Sequence, residues 1–166
     1  MRNINAAVGV SLVEIYAVGS GIWVNTGDNW YREPNSPSRQ PPNWVFGVFW
    51  PNNFIVLGWA AVKVAQSATT SIDITYLYFF GLSVICALFW AYQFYRPQNL
   101  AAASLALTLV AILTLPVLAI TFKESIAVGF ALVPYQLWVA TASALNWSYN
   151  RLNKSFTGFT VINIVF

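Results

Sequence analysis

Apolar residues run through the chain in five long stretches that are separated by polar breaks. The stretch "AAASLALTLVAILTLPVLAI" is apolar throughout, whereas a strand of a membrane barrel alternates apolar and polar residues. A helix that crosses the hydrocarbon core needs about 20 such residues. The pattern therefore predicts an all-α membrane protein, a single bundle of five transmembrane helices. The predicted helices cover residues 4–25, 44–66, 73–95, 99–121 and 125–150.

The connections between these stretches differ in length. The first, residues 26–43, is long, and the others are short turns marked by "QSATTSID", "YRPQN" and "FKES". Short turns make sequential helices antiparallel neighbours, so residues 1–154 are predicted to form one domain. Residues 155–166 form an apolar tail that is too short to span a bilayer.

The composition supports insertion into a membrane. Hydrophobic residues make up 58% of the chain and charged residues only 8%, against about 25% charged residues in soluble domains. The one cysteine, Cys86, rules out an internal disulfide framework, and the chain has no histidine. Haem and zinc sites are therefore poorly supported, and the sequence predicts no metal site and no required cofactor.

Basic residues near the helix ends indicate the orientation of the bundle. The side of the N-terminus carries Arg2, Lys63 and Lys123, and the opposite side carries Arg32, Arg39, Arg96, Arg151 and Lys154. This excess predicts that the long loop and the C-terminus lie in the cytoplasm. No transit peptide is visible, which favours a bacterial membrane. The basic residues form no patch, so no nucleic-acid partner is predicted.

Acidic residues in or beside the helices are few. Glu14 lies deep within the first predicted span, where a carboxylate is costly, and is either a functional group or a protonated residue bonded to a neighbouring helix. Asp73 and Glu124 are predicted to open the third and fifth helices, where the helix dipole favours a negative charge. Pro51 is predicted to bend the second helix because the carbonyl of Gly47 loses its hydrogen-bond donor.

Aromatic residues share one face of two predicted helices, since residues three and four apart are stacked along a helix. The two stripes are Trp50, Asn53, Phe54 and Leu57 in the second helix, and Pro134, Trp138, Ala142, Leu145 and Tyr149 in the fifth. We expect these faces to meet inside the bundle around Asn53 and Asn146 and to line a ligand pocket. The alternatives are ordinary helix packing and interfacial belts of tryptophan and tyrosine.

Two groups of residues resemble motifs of the TspO/MBR family, the translocator proteins or tryptophan-rich sensory proteins. "WY" at 30–31, Pro37, "PP" at 41–42, Trp44 and Trp50 are similar to the first-loop signature of that family. "VPYQLW" at 133–138 and "ALNWSYNRLN" at 144–153 resemble its fifth-helix signature. The resemblance covers residues 8 to 153, with matching helix count and loop position.

The resemblance implies a five-helix protein, commonly a homodimer, that binds planar apolar ligands such as protoporphyrin IX or sterol-like lipids beneath the long first loop, which acts as a lid. The implied ligand-binding residues are Trp30, Tyr31, Pro42, Trp50, Phe54, Phe89, Trp90, Trp138 and Ala142. Leu145, Tyr149 and Arg151 also match a loose sterol-contact pattern. In the third helix, Cys86 and Phe89 stand where the family has Asn and Trp, which would place Trp90 on a different helical face.

Three functions are compatible with this resemblance. The first is binding or sensing of a porphyrin or sterol-like lipid, with a possible influence on tetrapyrrole metabolism. The second is light- or oxygen-dependent breakdown of a bound porphyrin with Trp50 and Trp138 as redox-active neighbours. The third is transport of the ligand, although the chain has no inverted repeat and no series of intramembrane ionisable groups.

Overall fold

A computed structural model describes residues 2–31 and 43–153, with side chains placed for residues 2–24 and 47–153. The described residues form five α-helices and no strand. The helices are α1 (Arg2–Tyr31), α2 (Asn43–Ser67), α3 (Thr70–Tyr95), α4 (Leu100–Glu124) and α5 (Ile126–Leu152). For the part of the chain that the structure describes, the prediction of five helices and no strand is confirmed.

The first helix is longer than predicted. It continues through "NTGDNWY" to Tyr31, so the connection to α2 is residues 32–42 and not 26–43. Gly27 and Asp28 are turn-forming residues, but a helix can continue into them because its hydrogen bonds are local. Trp30 and Tyr31 thus belong to the last turn of α1 and not to the loop.

Polar side chains cap the N-termini of α4 and α5. The Asn99 side chain accepts a hydrogen bond from the backbone N–H of Ala102 and caps α4. Ser125 caps α5 in the same way through Val128. The predicted role of Glu124 is therefore wrong, because it is the last residue of α4 and a serine opens α5. Asp73 does lie in the first turn of α3.

The helices pack in a ring whose order differs from their order in the chain. Helix α3 packs against both α1 and α4, α4 packs against α5, and α2 closes the ring through contacts with α1 and α5. Small residues permit the close approach of α1 and α2, because a Cβ added at Gly9 would stand 2.7 Å from the Cβ of Ala61. Such contacts are typical of helix packing in membranes.

The outer faces of the bundle are apolar. Large side chains that are more than half exposed include Ile15, Val18, Ile55, Trp59, Ile85, Ile112 and Leu137. A soluble monomer rarely exposes an apolar surface of this extent. Within the described residues, the segment 2–24 of α1 and the whole of α3, α4 and α5 are long and apolar enough to cross a membrane.

Candidate ligand-binding site

Six aromatic rings from four helices meet on one side of the bundle. They are Tyr16 of α1, Phe49, Trp50 and Phe54 of α2, Trp90 of α3 and Trp138 of α5, and we call this group the tryptophan cluster. Phe49 and Trp50 lie near the start of α2 and Trp90 near the end of α3, whereas Tyr16 and Trp138 lie near the middle of α1 and α5. The cluster is thus closer to the end of the bundle where α2 begins and α3 ends than to the opposite end.

Trp50 is the centre of the tryptophan cluster. Its ring is nearly parallel to those of Phe54 and Trp90, with interplanar angles of 25° and 23° and centroid distances of 5.6 and 6.5 Å. Tyr16 and Trp138 approach it edge to face, at 5.9 and 6.5 Å. Stacked and edge-to-face arrangements are both favourable for aromatic rings. Rings that lie nearly parallel to that of Trp50 on both α2 and α3 suit a flat apolar ligand.

The ring of Trp138 is buried and stacks on Phe49 with a centroid distance of 4.8 Å and an interplanar angle of 16°. Ala142 follows one turn later on the same face of α5 and is partly buried. The structure thus brings the predicted residues Trp50, Phe54, Trp90 and Trp138 together, with Ala142 beside them. A ligand-binding role for these residues stays a prediction.

Trp90 holds a fixed orientation because its indole Nε1 donates a hydrogen bond to Oδ1 of Asn146, at 3.2 Å. This bond joins α3 to α5 beside the tryptophan cluster. Trp90 lies on a different face of α3 from Phe89, as expected, and that face is the inward one. Phe89, which was aligned with the tryptophan of the family motif, is 47% exposed on the outer surface. Trp90, the residue that follows Phe89, points inward instead and packs on Trp50.

Asn53 is an unsatisfied polar group next to the tryptophan cluster. It lies one turn after Trp50 on α2 and is 1% exposed. Neither its amide nitrogen nor its amide oxygen has a hydrogen-bond partner among the described residues. A buried amide without partners is costly, so Asn53 is suited to bind a polar group of a ligand or a water molecule.

Two members of the tryptophan cluster were not predicted. Tyr16 is 1% exposed and contacts Phe54 edge to face at 5.2 Å. It belongs to an inward stripe with Gly9, Val13 and Ser20 on α1, and this helical spacing is visible in the sequence. Phe49 gave no such signal, because it precedes Trp50 directly and lies a third of a turn from the predicted stripe.

The sterol-contact pattern does not form one outward surface. Tyr149 is buried, and its ring packs edge to face on Phe94 at 5.9 Å. Leu145 is partly buried, and Arg151 is exposed at the end of α5. Glu14 is also exposed, on the outer face of α1, and is not part of the tryptophan cluster.

Some predicted site residues cannot be compared with the structure. Pro42 and the proposed lid, residues 32–42, lie outside the described residues, as does the tail 155–166. For Trp30 and Tyr31 only the helical backbone is described.

The apolar exterior, the spanning helices and the interior tryptophans define a multi-pass integral membrane protein. The chain belongs to the TspO/MBR family, whose model matches residues 7–152. The membrane protein YtaB of Bacillus subtilis is 31% identical over 157 residues, which cover 92% of this chain and 99% of YtaB. The tryptophan-rich sensory protein of Cereibacter sphaeroides is 27% identical over 126 residues, covering 76% of this chain and 78% of the relative. The human translocator protein is 25% identical over 143 residues, or 85% of each chain.

Proposed function

We propose that this protein binds a planar apolar ligand, a porphyrin such as protoporphyrin IX or a sterol-like lipid, at the tryptophan cluster and acts as a membrane sensor for it. The observation that carries the proposal is the set of near-parallel rings around Trp50. Trp50, Phe54 and Trp90 are only partly buried, so part of each side chain is accessible to a ligand. The names of two relatives, a tryptophan-rich sensory protein and a translocator protein, support this proposal.

In the proposed arrangement all five helices span the membrane and residues 32–42 cover the tryptophan cluster as a lid. The lid and the C-terminus face the cytoplasm of a bacterial cell, and two copies of the chain form a homodimer. A ligand that binds the closed form more tightly shifts the lid towards closure, because only a difference in affinity can move such an equilibrium. Asn53 supplies the polar contact that orients the ligand.

The test is a titration of the purified protein with protoporphyrin IX, followed by quenching of tryptophan fluorescence. Loss of one stacked ring removes about 0.5–1.5 kcal/mol, which corresponds to about a 2–10-fold weaker affinity. We expect this weakening for Trp50→Leu and for Trp138→Leu. The midpoint of the titration is compared and not its amplitude, since each variant also removes one emitting residue.

Trp59→Leu is the matched control. Trp59 lies on the same helix as Trp50 but is 52% exposed on the outer face, so its loss should leave the midpoint unchanged. Equal midpoints for the parent, the Trp50 variant and the Trp138 variant would refute binding at the tryptophan cluster. A sterol titrated as a competitor of the porphyrin distinguishes the two ligand classes.

A second candidate function is light- or oxygen-dependent breakdown of the bound porphyrin. The edge-to-face contact between Trp50 and Trp138, with a centroid distance of 6.5 Å, favours it because two indoles in contact can share an oxidising equivalent. Illumination of the complex in air would then remove the porphyrin absorption band and yield a new product. If the band persists while fluorescence quenching is retained, the protein binds the porphyrin without degrading it.

A further inference from the structure

A cavity of about 260 Å³ lies at the end of the bundle away from the tryptophan cluster, where α1 begins, α2 ends and α3 begins. Its lining consists of Arg2, Asn5, Ala65, Ala68, Thr69, Thr70 and Asp73. One water molecule occupies about 30 Å³ in the liquid. The cavity is therefore much larger than a site for a single water or a bare ion.

The floor of the cavity carries a buried carboxylate that is only half satisfied. Asp73 is 2% exposed. Its Oδ2 accepts a hydrogen bond from the Asn5 amide nitrogen at 2.7 Å, whereas its buried Oδ1 has no partner among the described residues. A buried carboxylate oxygen without a donor is costly. The missing partner is a group that brings N–H donors and positive charge.

The rim of the cavity favours a negatively charged group, whereas Asp73 favours a positively charged one. Arg2 is exposed there, and so are Thr69 and Thr70 at the start of α3. The side chain of Thr69, the N-cap residue, makes no capping hydrogen bond. The first-turn N–H groups of α3 are therefore left for another acceptor, and a helix N-terminus beside an arginine is favourable for phosphate.

We infer that this cavity is a binding site for a zwitterionic phosphoethanolamine group, with its ammonium on Asp73 and its phosphate at Arg2 and the N-terminus of α3. The polar lining residues lie at the N-terminal ends of α1 and α3, two helices that can span a membrane, which is the depth of lipid headgroups. Ile4 and Ile74 are exposed and directly adjoin the lining residues Asn5 and Asp73 in the sequence, so they offer apolar surface to acyl chains. A choline headgroup lacks the N–H donors that Oδ1 requires.

The experiment uses the full chain in a non-ionic detergent with equimolar phosphatidylethanolamine, phosphatidylcholine and phosphatidylglycerol of identical acyl chains, and counts bound lipids by native mass spectrometry. We expect the ethanolamine lipid to be preferred over the choline lipid by about tenfold, the value of one hydrogen bond to a charged group. Asp73→Asn keeps the shape and the contact with Asn5 and should abolish this preference. Glu124→Gln makes the same charge change at the same end of the bundle, outside the cavity, and should retain it.

Arg2→Gln provides a second variant at an exposed position, where folding is not at risk. It should weaken all three phosphate-bearing lipids to a similar degree. Competition by soluble O-phosphoethanolamine distinguishes a free zwitterion from a lipid as the ligand, and effective competition supports the site in either case. Equal binding of ethanolamine and choline lipids to the parent chain would overturn the inference. The inference would also be overturned if Asp73→Asn still preferred the ethanolamine lipid. The same holds if a sodium salt, added without any competitor, removed the preference from the parent chain.

Discussion

The contact between Gly9 of α1 and Ala61 of α2 leads to a quantitative prediction for Gly9→Ala. The added Cβ would stand 2.7 Å from the Ala61 Cβ, whereas carbon atoms pack best at about 3.5–4.0 Å. The two helices must therefore separate by roughly 1 Å, a gap that forfeits a quarter to a half of the dispersion energy of each affected contact. Overpacking of this kind costs about 1–3 kcal/mol.

Gly58→Ala is the matched control for Gly9→Ala. Gly58 lies in the interior of α2, and a Cβ added there meets nothing within 4 Å. Both substitutions replace a helical glycine by alanine, which gains about 0.5–1 kcal/mol in each case. This gain cancels when the two variants are compared, so their difference isolates the contact between the helices.

The assay is unfolding of the detergent-solubilised protein by sodium dodecyl sulfate, followed by far-ultraviolet circular dichroism. We expect Gly58→Ala to be at least as stable as the parent and Gly9→Ala to be less stable than Gly58→Ala by about 1–3 kcal/mol. Equal free energies of unfolding for the two variants would show that α1 and α2 do not approach each other at this point.

Two further predictions concern buried polar groups. Asn53→Leu should raise the free energy of unfolding by about 1–3 kcal/mol, because it removes two buried polar atoms for which the described residues supply no partner. The same substitution should weaken protoporphyrin binding measured by fluorescence quenching. Thr108→Val should lower the free energy of unfolding by about 1 kcal/mol. The substitution removes two interhelical hydrogen bonds, and each contributes about 0.6 kcal/mol. These bonds join Thr108 to Ser143 at 2.9 Å and to the indole of Trp147 at 3.0 Å.

Each of these substitutions has a control at a comparable position. Asn146→Leu removes an amide that already accepts a hydrogen bond from Trp90, so it should destabilise the protein. Thr141→Val changes an exposed hydroxyl that is bonded only within its own helix and should have little effect. A destabilising Asn53→Leu would show that the Asn53 side chain has a partner, and a neutral Thr108→Val would show that the bonds between α4 and α5 contribute nothing.

The helices could be predicted because their apolar stretches are long and unbroken, and the inward faces of α2 and α5 because aromatic residues repeat with helical spacing. The face of α3 could not be predicted from motif alignment alone. A shift of one residue turns a helix by about 100°, which is enough to exchange Phe89 for Trp90. Tertiary packing decides such a choice, and here the contact with Trp50 and the bond to Asn146 select Trp90.

The cavity beside Asp73 shows a different limit of prediction. An acidic residue in the first turn of a helix is explained sufficiently by the helix dipole, and the sequence gives no sign that α1 begins beside it. The hydrogen bond from Asn5 joins residues 68 positions apart. Only the arrangement of the helices reveals that one carboxylate oxygen is buried with no donor from the described part of the chain.

The tryptophan cluster draws on α1, α2, α3 and α5, which span nearly the whole chain from Tyr16 to Trp138. Trp138 and Asn146 both lie on α5. During biosynthesis, a chain with only its first four helices inserted in the membrane therefore lacks both side chains. The tryptophan cluster is therefore complete only after the final helix has docked against the other four.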